Sequence, residues 1–243
     1  MPVYVVTGAN RGLGLEFARQ LSQDKSNTVL LTSRNAKADL TDVKAATSAN
    51  EKNTQFLTCD TGSLDSIKTF ASQAKESLAG KKIDFLINNA GMNAHPEQTS
   101  LSMTAEALEE GMRVNVLGPA KTAELLLAQD LLAPNARIVN MSSGLGSMHV
   151  SLSITPRKCA TYSITKAGVN SLTAQQSGDY REKLGKECVV IAMDPGWVKT
   201  RMGGEGAVLE PQESIGGMLK CIHGLREADN GKFYTYTGEE VPW

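Results

Sequence analysis

Tyr162 and Lys166 stand four residues apart in the run Tyr162, Ser163, Ile164, Thr165, Lys166, where helical spacing begins. On a helix that interval puts both side chains on one face, with Cβ atoms about 5–6 Å apart. A free tyrosine, with a pKa of about 10, is a poor proton shuttle at neutral pH. Bringing it to about 7 takes about 4 kcal/mol of preference for the phenolate. An ammonium about 4 Å away, at an effective dielectric of about 20, supplies that much. The pair is therefore suited to acid–base work on a small polar group. A second chemical feature lies near the start of the chain. Thr7, Gly8, Ala9, Asn10, Arg11, Gly12, Leu13 and Gly14 connect a strand-like run to a helical one. Glycines in that position let the backbone turn tightly and let a pyrophosphate approach main-chain N–H groups at a helix N-terminus. A plain turn needs one glycine and leaves the other two unexplained.

The elements that must carry these groups can be read from the apolar pattern. Short, mostly β-branched runs at 3–7, 28–32, 55–60, 83–88, 137–141, 188–193 and 232–236 predict strands buried on both faces. Helical spacing lies between them. Leu13, Phe17 and Leu21 share one face, and Leu64, Ile67, Phe70, Ala74 and Leu78 share another. Ser63 is placed to cap the latter helix, and Gly80 stands just past its end. Repeated strand–helix alternation predicts an α/β fold, a doubly wound parallel sheet of the Rossmann type. It has about seven strands with helices on both faces. No linker or repeat divides residues 1–243, so one domain is expected, with its substrate loop at about 200–215. Two stretches, 144–160 and 203–211, break the alternation. Loops beyond the carboxyl ends of strands are where such a sheet forms its binding crevice.

Composition narrows the function. The 243 residues are 41% hydrophobic and 21% charged, as in an ordinary globular protein. Twenty-five Lys and Arg against 26 Asp and Glu leave no basic excess for nucleic acid. No apolar run approaches the roughly 18 residues of a membrane span. The first residues enter a strand-like run without a basic region or cleavage site, so a cytoplasmic protein is expected. Cys59, Cys159, Cys188 and Cys221 lie far apart and read as reduced thiols, Cys159 doubling as a candidate redox-sensitive neighbour of Tyr162. His95, His149 and His223 are equally scattered, and no metal is expected.

The spacing of Gly8, Gly12 and Gly14 resembles the T-G-x-x-x-G-x-G of the short-chain dehydrogenases/reductases, and further motifs of that family follow in order. They are Asn88, Asn89, Ala90, Gly91 after the fourth strand; Asn115 inside the next helix; Ser142 and Ser143 after the fifth; Y-x-x-x-K at Tyr162 and Lys166; and Pro195 and Gly196 after the sixth. Together they span essentially the whole chain. The resemblance implies a nicotinamide cofactor, with Tyr162 as general acid giving its proton to a developing alkoxide. It also implies a serine donating to the same oxygen, with Ser143 indicated and Ser142 the alternative. Lys166 would hold the nicotinamide ribose as well, and Asn115 would steady the helix bend and the proton path to Lys166. The separation of Ser143 and Tyr162 exceeds the family's usual one, as in carbonyl reductases that carry an insertion there.

Further cofactor contacts follow from the same resemblance. Gly8, Asn10, Arg11, Gly12, Leu13 and Gly14 would line the pyrophosphate. Asp60 and Thr61 would face the adenine side, and Asn88, Ala90 and Gly91 would lie under the ribose and support the central sheet. Pro195, Gly196, Val198 and Thr200 would contact the carboxamide and pyrophosphate. The second strand ends Leu31, Thr32, Ser33, Arg34, without the carboxylate that an NAD site uses on the ribose 2′-OH. Arg34 and Arg11 could instead grip a 2′-phosphate, so NADP(H) is the expected cofactor. Trp197 either faces substrate or packs.

The run from Thr7 to Gly12, the run from Pro195 to Thr200 and the ending Gly238, Glu239, Glu240, Val241, Pro242, Trp243 resemble carbonyl reductases of the sniffer and C-factor type. That similarity implies reduction of aldehydes, ketones or quinones, with no nucleic-acid or membrane partner. It also implies a homo-oligomer, dimer or tetramer, formed through long helices around 104–132 and 161–184. Two rivals stand beside it. One is a nucleotide-sugar epimerase or dehydratase, which needs a longer C-terminal region. The other is a non-catalytic or weakly catalytic NADP(H)-binding sensor on the same fold, a class that commonly loses the tyrosine or lysine kept here.

Overall fold

A computed structural model describes residues 1–155 and 157–243. Pro156, within the 144–160 stretch, lies outside the described residues. The first half of the chain runs β1 (Val3–Val6), α1 (Gly12–Leu21), β2 (Thr28–Ser33), α2 (Thr41–Thr47), β3 (Thr54–Thr58), α3 (Leu64–Leu78) and β4 (Ile83–Asn88). The second half runs α4 (Ala105–Met112), α5 (Gly118–Ala128), β5 (Leu132–Met141), α6 (Met148–Ser151), α7 (Ala160–Leu184), β6 (Val189–Asp194), α8 (Pro211–Gly224) and β7 (Phe233–Thr235). A π-helical turn, Arg113–Leu117, joins α4 to α5.

The seven strands form one sheet in the order β3-β2-β1-β4-β5-β6-β7, with every pairing parallel. The expected doubly wound sheet is thus present. Side chains alternate between its faces, which explains why the strands read as continuous apolar runs. Tyr4, Val6, Val29, Leu31 and Ile191 pack with Phe17 and Leu21 of α1 and Met218 and Ile222 of α8. Val3, Val5, Leu30, Ile138 and Val190 face the other way, onto Ile67 and Phe70 of α3, Leu126 of α5 and Tyr180 of α7. The chain reverses direction across the sheet between β1 and β4. The crevice of such a sheet opens at that point, beyond the strands' carboxyl ends.

Local signals hold at α3. The Ser63 side chain accepts from the Ser66 N–H, and the helix ends in a left-handed turn. That turn starts at Ala79 (φ 48°), one residue before the expected Gly80 (φ 90°). Two boundaries differ from expectation. β5 starts at Leu132 rather than 137, because a register shift between Ile83 and Phe85 accommodates Pro134, which cannot donate to a ladder. The long helix expected at 104–132 is broken by the π turn and ends at Ala128.

Candidate active site

The glycine loop follows β1 directly. Gly8 (φ 67°) and Gly12 (φ 56°) adopt left-handed backbone that glycine takes without strain. Gly14 is confined by space instead. A Cβ there would strike the Gly8 carbonyl oxygen and lie 2.7 Å from Asn89 Nδ2. Asn89 braces the loop from the end of β4, donating to the carbonyls of Thr7 (2.8 Å) and Gly8 (3.1 Å). The Ala90 N–H donates to Thr7 Oγ1 at 3.0 Å. Helix α1 then begins at Arg11 with no side-chain cap and no acidic residue in its first turn. Its leading N–H groups and positive dipole end therefore suit a pyrophosphate. Arg11 and Arg34, the latter just past β2, are both exposed. Leu13 packs against the core below the loop.

Across the switch point, α7 carries Tyr162 and Lys166. The Lys166 ammonium lies 5.5 Å from the centre of the Tyr162 ring and donates to the Met141 carbonyl at the end of β5, at 2.6 Å. Lys166 is buried, and desolvation lowers it to about 8 while the Asp194 carboxylate opposes that. Tyr162 is partly exposed at the surface. Its phenol is nevertheless raised above the ordinary value, by desolvation first and then by Asp194 and Cys159, with the Ser143 hydroxyl working the other way. The four-residue spacing predicts that Lys166 brings Tyr162 toward neutrality. In the folded protein burial and a neighbouring anion prevail, so the lysine alone does not make the phenol acidic.

Ser142 and Ser143 separate cleanly. Ser142 is buried and donates to Asn170 Oδ1 at 2.6 Å. Ser143 Oγ accepts from the Leu145 N–H at 3.2 Å, which leaves its own hydroxyl proton to donate toward Tyr162 and the cleft. Gly91, Asn115 and Lys166 converge. A Cβ on Gly91 would lie 3.3 Å from Asn115 Oδ1 and 3.5 Å from Lys166 Nζ. The Asn115 amide is fully engaged, accepting from the Met92 N–H and donating to the Met92 carbonyl and Thr165 Oγ1. It thereby pins the π turn to the loop after β4 and to α7.

Asn88 is buried and donates to Asn140 Oδ1, so its side chain supports the sheet. Thr61 is buried against Gly118, where a Cβ would lie 2.9 Å from it. The Asp60 carboxylate accepts from the Gly62 N–H at 2.9 Å. Ala90 stands against Gly8, 3.0 Å from where a Cβ would be. In the loop after β6, the Pro195 carbonyl accepts from Ser214 Oγ, and Gly196 (φ 77°) packs under Leu209 and Tyr236. Val198 is buried and pairs with Leu209, while Thr200 faces Gly12. The Trp197 indole donates to the Gly203 carbonyl at 2.7 Å, and its ring stays half exposed. His95 joins Asn93, Thr161 and Tyr162 around a small recess beside the tyrosine. All four cysteines are free thiols.

One residue of the cleft escaped the sequence reading. Asp194 ends β6 with its carboxylate between two turns. Oδ1 accepts from the Gly196 N–H at 3.0 Å, and Oδ2 lies 3.2 Å from where a Gly144 Cβ would stand. The available signal was a carboxylate immediately before Pro195 and Gly196, at the crevice end of a strand.

Comparisons with known proteins agree with this architecture. The family model described as short chain dehydrogenase matches residues 2–207. The C-signal protein of Myxococcus xanthus is 30% identical over 167 residues, which cover 66% of this chain and 93% of that protein. Among solved structures, NADPH-bound carbonyl reductase from chicken fatty liver is 32% identical with a TM-score of 0.89, covering all of both chains. The carbonyl reductase Sniffer of D. melanogaster is 28% identical with a TM-score of 0.87, again over both full chains.

Proposed function

Because the chain belongs to the short-chain dehydrogenase family, we propose that it is an NADP(H)-dependent carbonyl reductase acting on aldehydes, ketones or quinones. The observation that carries this reading is the convergence of Ser143, Tyr162 and Lys166 at one crevice. The Ser143 hydroxyl has its oxygen fixed by Leu145 and its proton available. The reported ligands of two similar structures, NADPH and NADP, support the choice of cofactor. The glycine cradle fits a pyrophosphate, and Arg11 and Arg34 offer guanidinium groups to a 2′-phosphate.

The bound nucleotide would supply hydride, the chemistry belonging to its nicotinamide ring. The protein's own groups do the rest. A substrate carbonyl oxygen placed between Ser143 and Tyr162 receives a hydrogen bond from the serine, which strengthens as charge grows on the oxygen. Tyr162 gives that oxygen its proton. Lys166, tied to the Met141 carbonyl, supplies positive charge beside the phenolate left behind and would hold the ribose hydroxyls. Asn115 keeps the π turn in register with α7. Trp197 and the loop at about 200–215 would wall the substrate side within one catalytic domain spanning 1–243. The same reading carries a cytoplasmic location and a homo-oligomer; among the described residues no helix is long and apolar enough to cross a membrane.

The test is NADPH oxidation, followed at the nicotinamide absorbance, over a panel of aldehydes, ketones and quinones, with Tyr162→Phe in parallel. Turnover that disappears in the variant while NADPH still binds supports the reading. Tight NADPH binding without turnover on any carbonyl overturns it in favour of a sensor.

A further inference from the structure

The family motifs leave Asp194 without a role, yet its charge is felt by both Tyr162 and Lys166. It sits at the end of β6, next to β5, whose end presents Ser143 and whose Met141 carbonyl holds Lys166. Oδ1 accepts from the Gly196 N–H at 3.0 Å, which fixes the turn of Pro195 and Gly196. Oδ2 lies against Gly144, the residue after Ser143, where even a methyl group would approach it to 3.2 Å. Two adjacent loops of the crevice therefore meet on one side chain.

The charge has a definite audience. The titratable groups facing Tyr162 are Lys166 on its own helix, Cys159 at the start of that helix, His95 across the recess from the loop after β4, and Asp194 from β6. Those facing Asp194 are Lys166 and Tyr162; burial raises its carboxyl above the ordinary range, against which the amides of Gly196 and Gly144 and the Lys166 cation stabilise the charged form. Lys166 is a single cation in a desolvated place, which by itself releases its proton more easily than in water. An anion beside it opposes that release, and the same anion opposes loss of the phenol proton.

We propose that Asp194 is a positioning residue of the reduction, joining the Ser143 turn to the Gly196 turn and presenting its carboxylate to the side of the crevice where Lys166 and Tyr162 stand. Its charge there favours the protonated lysine and phenol, so the site stays loaded to donate a proton through neutral and mildly alkaline pH, which biases it toward reduction. This rests on the reading of Tyr162 as the acid, but the electrostatic part can be measured without turnover.

The experiment is a heteronuclear NMR titration of the Lys166 Nζ resonance in the free protein, assigned by its loss in Lys166→Met. Wild type is compared with Asp194→Asn, Asp194→Ser and Asp194→Glu, and the pH profile of carbonyl reduction is recorded for each. Either neutral variant is expected to lower the Lys166 midpoint and the alkaline limb of the profile by about one pH unit. Asp194→Glu, which keeps the charge but displaces the contacts, keeps the midpoint near wild type and loses kcat. A Lys166 midpoint and alkaline limb unmoved in the neutral variant that folds would overturn the proposal. Turnover surviving in Tyr162→Phe would instead overturn the reading of Tyr162 as the acid and leave the lysine titration standing.

Discussion

Lys166 donates to the main-chain carbonyl of Met141 at 2.6 Å, so the cation of the site is tethered to the strand that ends in Ser142 and Ser143. The contact also ties helix α7 to the carboxyl end of β5. Gly146 lies so close to the Lys166 backbone that a Cβ would come within 2.6 Å of its carbonyl carbon. Strand β5, the turn after it and helix α7 thus form one packed unit around a buried charge.

That burial makes Lys166 a cost to the fold. Its folded pKa, about 8, lies below the unfolded value, so the unfolded chain binds the extra proton between them. The penalty is fully present below pH 8 and is relieved as pH rises toward the unfolded pKa. Lys166→Met is therefore expected to raise Tm by several degrees at pH 7, with a smaller gain at pH 9.5, while kcat falls at least a hundredfold. Calorimetry at the two pH values, with NADPH turnover, checks both signs.

Ser142 and Ser143 should respond in opposite ways. Ser143→Ala removes a donor aimed at the crevice and is expected to cut kcat by about a hundredfold with Tm unchanged. Ser142→Ala strips the donor from Asn170 Oδ1, whose Nδ2 already lacks a partner. It should cost about 1–3 kcal/mol of stability, seen as a lower urea midpoint, and keep most of the activity.

The glycine loop offers a steric contrast. Gly14→Ala drives a methyl into the Gly8 carbonyl and Asn89, so NADPH binding measured by fluorescence titration should weaken by a hundredfold or more. Gly12→Ala meets only the Thr200 side chain, at 3.7 Å, and is charged chiefly with its positive φ. It should lose about 1 kcal/mol of stability and bind the nucleotide less than tenfold more weakly.

Arg34→Ala is expected to weaken NADPH binding by about tenfold to a hundredfold and to leave NADH unchanged, since only the former carries the 2′-phosphate. Equal losses for both nucleotides in the same titration would remove Arg34 from cofactor choice.

How far the sequence reaches depends on whether the signal is local. Strand runs such as Ile83–Asn88 and the Ser63 cap were legible because burial on both faces and an orphan N–H each leave a mark in neighbouring residues. Tyr162 and Lys166 were legible through their spacing. The side-chain partners of Asn88 and Thr61 were not legible, because only the fold decides which way a strand-end side chain turns; one found Asn140 and the other Gly118. The rise in Tyr162 was invisible for the same reason, being set by desolvation and by Asp194, 32 positions away. The early start of β5 was hidden by Pro134, which argues against a strand until the register shift makes room for it.

The π turn at Arg113–Leu117 is one residue wider than the helix on either side of it, the footprint that a single inserted residue leaves in a regular helix. Deleting Val114 would heal it into ordinary α-helix, and the healed helix would be the better one by backbone criteria. The deletion would also turn α4 by about 100° relative to α5 and carry Asn115 away from Met92 and Thr165. At this point the chain tolerates a shorter side chain more readily than a shorter length, so a gap in a relative's sequence here would mark a lineage that had given up the site.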